Sequence, residues 1–253
     1  MPTPDVDAID AFLAACGLAP SVESDGHNWI PGAGIRYARL EPGSSALSMA
    51  DRLRGEFPTT GIWPLVVEAD VDDLTELCDF RGVVAGAEAV AQSLSLDPLM
   101  WLPSYITPEQ IGLLENHSGG EILSALAQGA AAEAGLVLGG DWLGASMLLL
   151  VPCDQPWEAT ARAGFGGWND CPAPPFQAAF HRQLAAAAGL EVRGLGRDKM
   201  LVYLSNPPHD PEAVLGVARL LTRYCNDLSI AADELEVARI LLAGSEYWGF
   251  WWD

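Results

Sequence analysis

The chain has 253 residues, 50% of them apolar and 19% charged, which suits a folded globular protein with a sizeable core and not a disordered one. Its 34 acidic and 13 basic residues give a formal net charge of −21, which argues against a sequence-independent grip on nucleic acid or an anionic membrane surface, since both need a basic face. Two readings of that charge stay open: solubility through self-repulsion, or steering of a basic partner protein.

The start, Met1 to Asp5, has neither the basic region nor the apolar run of a signal peptide. The most apolar stretch, Trp142 to Pro152, is too short for a bilayer, which takes about 20 residues. A cytoplasmic location is therefore expected. The five cysteines are odd in number and widely spaced, with no Cys-x-x-Cys pair. They are expected to be free thiols filling the core, with no metal and no cofactor implied.

Thr3 and Pro4 read as the cap and first residue of a helix with Val6, Ile9, Leu13 and Cys16 on one face, ended by Gly17. After a loop, a short strand is predicted over Ile35 to Leu40 and a helix over Ser45 to Arg54, stopping before Pro58. Thr59-Thr60-Gly61 reads as a turn and Ile62 to Glu68 as a strand, where Pro64 implies an edge or an early ladder position. Helices are predicted over Val71 to Phe80, Gly82 to Leu96, Thr107 to Asn116 and Glu121 to Ala134.

From Ser146 the pattern changes. Met147 to Val151 is a continuous apolar run that suits a buried strand, and Trp157 to Ala163 is read as another. Pro174-Pro175 opens a helix with Phe176, Phe180, Leu184 and Ala187 on one face, closed by Gly189. Leu190 to Leu195 and Met200 to Leu204 are strands. Asp210-Pro211 caps a helix with Val214, Val217, Ala218 and Leu221 inward, and Asp233 with Glu236 forms a capping box for another. Glu246 to Trp252 ends the chain as a strand. Trp248, Phe250 and Trp252 share one face of it, and Tyr247 and Trp251 the other, so a central position is expected. The fold class is α+β (mixed α/β), with helices packed on a mixed sheet. Two regions are expected: residues 1–140, α+β and partly helical, and residues 141–253, a C-terminal domain.

Gly164-Phe165-Gly166-Gly167-Trp168-Asn169-Asp170-Cys171-Pro172 is written like no ordinary helix or strand. Its amides could cradle an anion ahead of a helix, but no Lys or Arg lies between Arg162 and Arg182. The alternative is a turn whose Trp168 plugs the core. Together with Arg223-Tyr224-Cys225-Asn226-Asp227 and the terminal Tyr247-Trp-Gly-Phe-Trp-Trp-Asp253, this motif resembles the bacterial family called domain of unknown function 4253, over roughly residues 145 to 253. The family's Tyr-Cys-Pro-Asp step is Tyr-Cys-Asn-Asp here. Phe57-Pro-Thr-Thr-Gly-Ile-Trp-Pro64 is also similar to a stretch preceding the domain in actinobacterial members. The resemblance implies kinship and brings no activity with it.

Cys171 near a helix start is the candidate nucleophile, since a thiol pKa can fall there. His181, Asp227 and Asp253 are the candidate catalytic partners. Gly166, Gly167, Trp168, Asn169, Tyr224, Trp251 and Trp252 are the candidate binding residues. The blander reading makes Cys171 and Cys225 buried thiols, with Asn169 and Asp170 capping the turn. His27, His117 and His209 read as isolated loop residues. The functional expectation is an acidic cytoplasmic protein that binds a basic protein, immunity- or inhibitor-like and without catalysis. The alternative is a small-molecule enzyme centred on Cys171 and His181.

Overall fold

A computed structural model describes residues 6–18, 35–40, 46–68, 84–101, 147–196, 198–225, 227–228, 234–242, 244 and 246–252. The helices expected over Val71 to Phe80, Thr107 to Asn116 and Glu121 to Ala134 lie outside these residues, as do Asp253, His27 and His117. Six strands form one sheet: β1 (Arg36–Arg39), β2 (Ile62–Glu68), β3 (Met147–Pro152), β4 (Leu190–Gly196), β5 (Lys199–Leu204) and β6 (Tyr247–Trp251), in the order β1-β3-β2-β4-β5-β6. All neighbouring pairs are antiparallel except β2 with β4, so the sheet is mixed. The α+β class is that of the protein, and strands from both halves of the chain share the sheet.

Alternation within β2 and β3 divides the core in two. Leu65, Val67, Met147, Leu149 and Val151 point to one face, beneath α6 (Pro174–Ala188), α7 (Pro211–Tyr224) and α8 (Glu234–Leu242). Ile62, Val66, Leu148 and Leu150 point to the other, beneath α1 (Val6–Ala15) and α2 (Ala46–Gly55). Both strands are covered on both faces, which explains their nearly unbroken apolar sequences. A single turn, α3 (Phe57–Thr60), ends at Gly61 in the left-handed region and feeds β2. Pro64 pairs with Leu150 in β3, while the β2–β4 ladder starts only at Val66, so its missing N–H interrupts nothing. The capping role of Asp210 holds: its carboxylate accepts from the amides of Glu212 and Ala213, both at 3.1 Å.

Four local expectations need correction. The segment read as a strand over Trp157 to Ala163 is a 3-10 turn, Pro156–Glu158, running into a short helix α5 (Ala159–Ala163). Pro156 sets the turn, and Glu158 pairs with Arg162 one turn on at 2.7 Å, a helical spacing. Second, the buried face of α6 is Gln177, Phe180, His181, Leu184 and Ala188; Ala187 is exposed and Phe176 packs at the rim on Trp101, ring centroids 5.1 Å apart. Third, β6 ends the sheet and is not central. Its aromatics are buried by the helix layer on one face only: Trp248, Phe250 and Trp252 are fully covered, whereas Tyr247 on the opposite face is 37% exposed. The helix α4 (Gly86–Ser93) is shorter than the span expected for it, beginning where Gly86 takes a positive φ.

Candidate functional site

The glycine loop is a consequence of α5 ending. Gly164 closes that helix at φ +77, and Gly166 and Gly167 follow at φ +108 and +94. Asn169 also sits in the left-handed region, at φ +46, where asparagine is among the better tolerated side chains. A Cβ on Gly166 would lie 2.2 Å from the Pro172 carbonyl oxygen and 3.0 Å from Gln177 Nε2, so only glycine fits there. The loop bonds to itself: the Gly167 amide donates to the Cys171 carbonyl at 3.2 Å, and the Cys171 amide to the Trp168 carbonyl at 2.9 Å. Two amides of the suggested anion cradle are thus engaged inside the loop. Phe165 is buried, and Trp168, half-buried, stands edge-on to it at 4.8 Å. Asn169 is exposed at the tip, and Cys171 returns to the interior.

Beneath the loop lies a chain of buried polar groups. Thr160 Oγ1 is 3.0 Å from His181 Nδ1, and His181 Nε2 is 2.9 Å from the Tyr224 hydroxyl. The Tyr224 hydroxyl donates to Gln177 Oε1, and Gln177 Nε2 donates to Cys171 Sγ at 3.2 Å. Because Tyr224 has one proton and gives it to Gln177, His181 Nε2 must be the donor to Tyr224, and Nδ1 must accept from Thr160. The bonds therefore run one way, Thr160 to His181 to Tyr224 to Gln177 to Cys171, with no net charge. All five side chains are within 1% of complete burial.

Burial dominates the ionisation of these groups. It lowers His181 from 6.5 to about 3, so the ring is neutral at ordinary pH. It raises the Cys171 thiol well above its usual value, and nearby Cys225 adds to the rise; the bonds from Gln177 and the Gly167 backbone oppose it only in part. Tyr224 is raised well above its usual value and Cys225 to about 12, again chiefly by burial. The thiol at a helix start thus shifts opposite to the expected direction. It lies ahead of α6 in sequence, yet desolvation outweighs any helix-terminal field.

The three motif segments do meet. Tyr224 packs at right angles to Trp252 at 5.5 Å and to Phe250 at 5.1 Å, and Phe165 reaches Trp252 at 6.3 Å. Cys225 Sγ donates to the Trp251 carbonyl at 3.1 Å. Cys171 and His181 are joined through Gln177 and Tyr224 and do not bond to each other among the described residues. Asp227 is nearly buried beside Cys225, outside the polar chain, and its charge contributes to raising that thiol. Trp251 is half-buried, and its contribution here is its backbone carbonyl. Gln177 and Thr160 were not among the residues that the sequence singles out. For Gln177 a signal existed: it stands four residues before His181, on the same helical face. Thr160 carries none.

No group of three or more His, Cys, Asp or Glu side chains is arranged to hold a metal among the described residues. No helix among them is long and apolar enough to cross a membrane. No curated protein and no solved structure matches the chain. Residues 147–253, the C-terminal part of the chain, match the family model described as domain of unknown function (DUF4253).

Proposed function

We propose that this is an acidic cytoplasmic protein that works by binding a basic protein partner, with the loop tip Gly167 to Asp170 in its contact surface and no catalysis at Cys171. The observation that carries this reading is the division of the motif between inside and outside. Its chemically reactive members, Cys171 and His181, are sealed and held neutral, while Trp168 and Asp170 are half-buried and Asn169 is exposed. A general base works best with a pKa near the operating pH, and His181 at about 3 is far below it. A loop fixed from beneath loses little freedom on binding, and a rigid aromatic on it is the type of residue that anchors interfaces. The charge of −21 would speed encounter with a basic partner and make it sensitive to salt.

The test is affinity capture from lysate of the producing cells at low and high salt, using the wild-type chain and Trp168→Ala. A basic protein retained at low salt, released at high salt and lost with Trp168→Ala is the expected result. Equal retention by the variant would remove the loop from the interface. A turnover found in an activity screen and abolished by Cys171→Ala would instead favour the enzyme alternative.

A further inference from the structure

The opposite face of the sheet carries a second, unrelated feature. The ladder between β4 and β5 slips between Val192 and Gly194, so that Arg193 is the extra residue of a bulge. Bulges re-aim side chains, and the Arg193 guanidinium meets α2: its Nη1 donates to Asp51 Oδ1, and its Nη2 pairs with Glu191 at 2.5 Å. Arg54 approaches the same Asp51 oxygen with Nη1 at 2.5 Å and donates Nη2 to the Arg193 carbonyl at 3.1 Å. Two of the chain's few basic side chains thus share one carboxylate oxygen. The Nε atoms of both arginines are buried and make no hydrogen bond among the described residues. Arg54 is held at about 10, below its usual value, by burial and then by Arg193.

Next to this pair is a hollow of about 170 Å³, lined by Leu47, Asp51, Arg54, Arg193, Leu201 and Tyr247. Its floor follows from register. Leu201 is flanked by Gly194 on β4 and Gly249 on β6, so neither neighbour puts a side chain beside it. A cavity of roughly 150 Å³ accommodates a ring the size of benzene. The hollow therefore combines an apolar floor, an aromatic wall and two guanidinium groups whose shared acceptor, Asp51, is 53% exposed.

We propose that this hollow binds a small carboxylate with an apolar ring or chain, the ligand's carboxylate taking the arginine face that Asp51 holds and its apolar body lying over Leu201 beside Tyr247. Guanidinium forks match carboxylates in shape, and the bond to each is charge-assisted. The overall negative charge opposes an anion. At physiological salt it is screened beyond about 8 Å, so the contacts inside the hollow decide the outcome. Asp51 then acts as an internal competitor.

That role gives a test with an unusual sign. Benzoate is the probe, benzyl alcohol its uncharged counterpart, and binding to the full chain is read by calorimetry and by the ligand-induced rise in melting temperature. Benzoate should bind saturably below about 10 mM and at least about tenfold more tightly than benzyl alcohol. Asp51→Asn should tighten benzoate binding about threefold or more, whereas a purely structural Asp51 would leave it unchanged or weaken it. Arg193→Gln should lose binding, and Leu47→Trp, which fills the hollow and leaves both arginines in the sequence, should lose it even if Arg193→Gln fails to fold. No saturation, equal binding of the alcohol, or undiminished binding by Leu47→Trp would overturn the proposal.

Discussion

Replacing His181 with leucine should change how stability depends on pH, and the size of the change follows from burial. In the folded chain His181 protonates only at about 3; unfolded, it protonates near 6.5. Below pH 6.5 the unfolded state therefore holds a proton that the folded state refuses. Stability conferred by the neutral ring is full above pH 6.5 and falls by about 1.4 kcal/mol per pH unit down to about 3. Between pH 7.5 and pH 5 the wild-type chain should lose about 2 kcal/mol from this residue alone. His181→Leu lacks the term. At pH 7.5 the variant should be less stable by roughly 2–4 kcal/mol, because Thr160 and Tyr224 each lose a buried partner. At pH 5 that gap should shrink by about 2 kcal/mol. Urea unfolding followed by tryptophan fluorescence, run on both proteins at several pH values, measures the gap. Every other titrating group, including the remaining histidines, cancels in the difference. Parallel stability curves for the two proteins would refute a sealed, neutral His181, and with it the direction assigned to the polar chain.

Gly166→Ala should destabilise by about 2–4 kcal/mol, measured by the same unfolding curves, since φ +108 is strained for alanine and its methyl meets the Pro172 carbonyl. Iodoacetamide labelling read by mass spectrometry should modify half-buried Cys16 in the native protein, and Cys153, Cys171 and Cys225 only after denaturant is added. Faster labelling of Cys171 than of Cys16 would reverse the assignment of an inert thiol. Deleting residues 248–253 should leave a chain that does not fold, shown by loss of the near-ultraviolet circular dichroism signal. Each aromatic removed buries roughly 150–250 Å², about 4–6 kcal/mol as an upper bound, and three together match or exceed a typical domain's stability.

Where local chemistry decides structure, the sequence was legible. Met147 to Val151 reads as a buried strand because both of its faces are covered, and Asp210 before Pro211 reads as a cap because the carboxylate finds its own amides. Trp157 to Ala163 misled because a large aromatic and a threonine favour strands, while the deciding features were Pro156 and the Glu158–Arg162 pair. The place of β6 was misjudged for a different reason. Aromatics on both faces suggested burial on both, but Tyr247 lies over the open hollow, next to Tyr203 at 5.0 Å. The meeting of the glycine loop with Tyr224 and Trp252 was visible as three motifs. Gln177, which joins them, was not, because a glutamine is normally a surface residue and its burial depends on a tyrosine 47 residues away.

The polar chain has a physical rationale of its own inside so apolar a core. Hydrophobic side chains of similar volume would pack as well and avoid five desolvations, so stability is a poor reason for the arrangement. What the chain supplies is position. Each bond of the chain has a fixed donor and a fixed acceptor, so Gln177 cannot rotate without leaving Tyr224, and Tyr224 cannot shift without leaving His181. Gln177 in turn lies against Gly166, whose path sets where Trp168 and Asn169 emerge. An apolar core would tolerate small slips of α6 against α7, and the loop tip would move with them. With the directional chain in place, the orientation of the surface loop is tied to residues on α5, α6 and α7 together. That is the property a recognition surface needs, and a sealed thiol within it need have no reactivity.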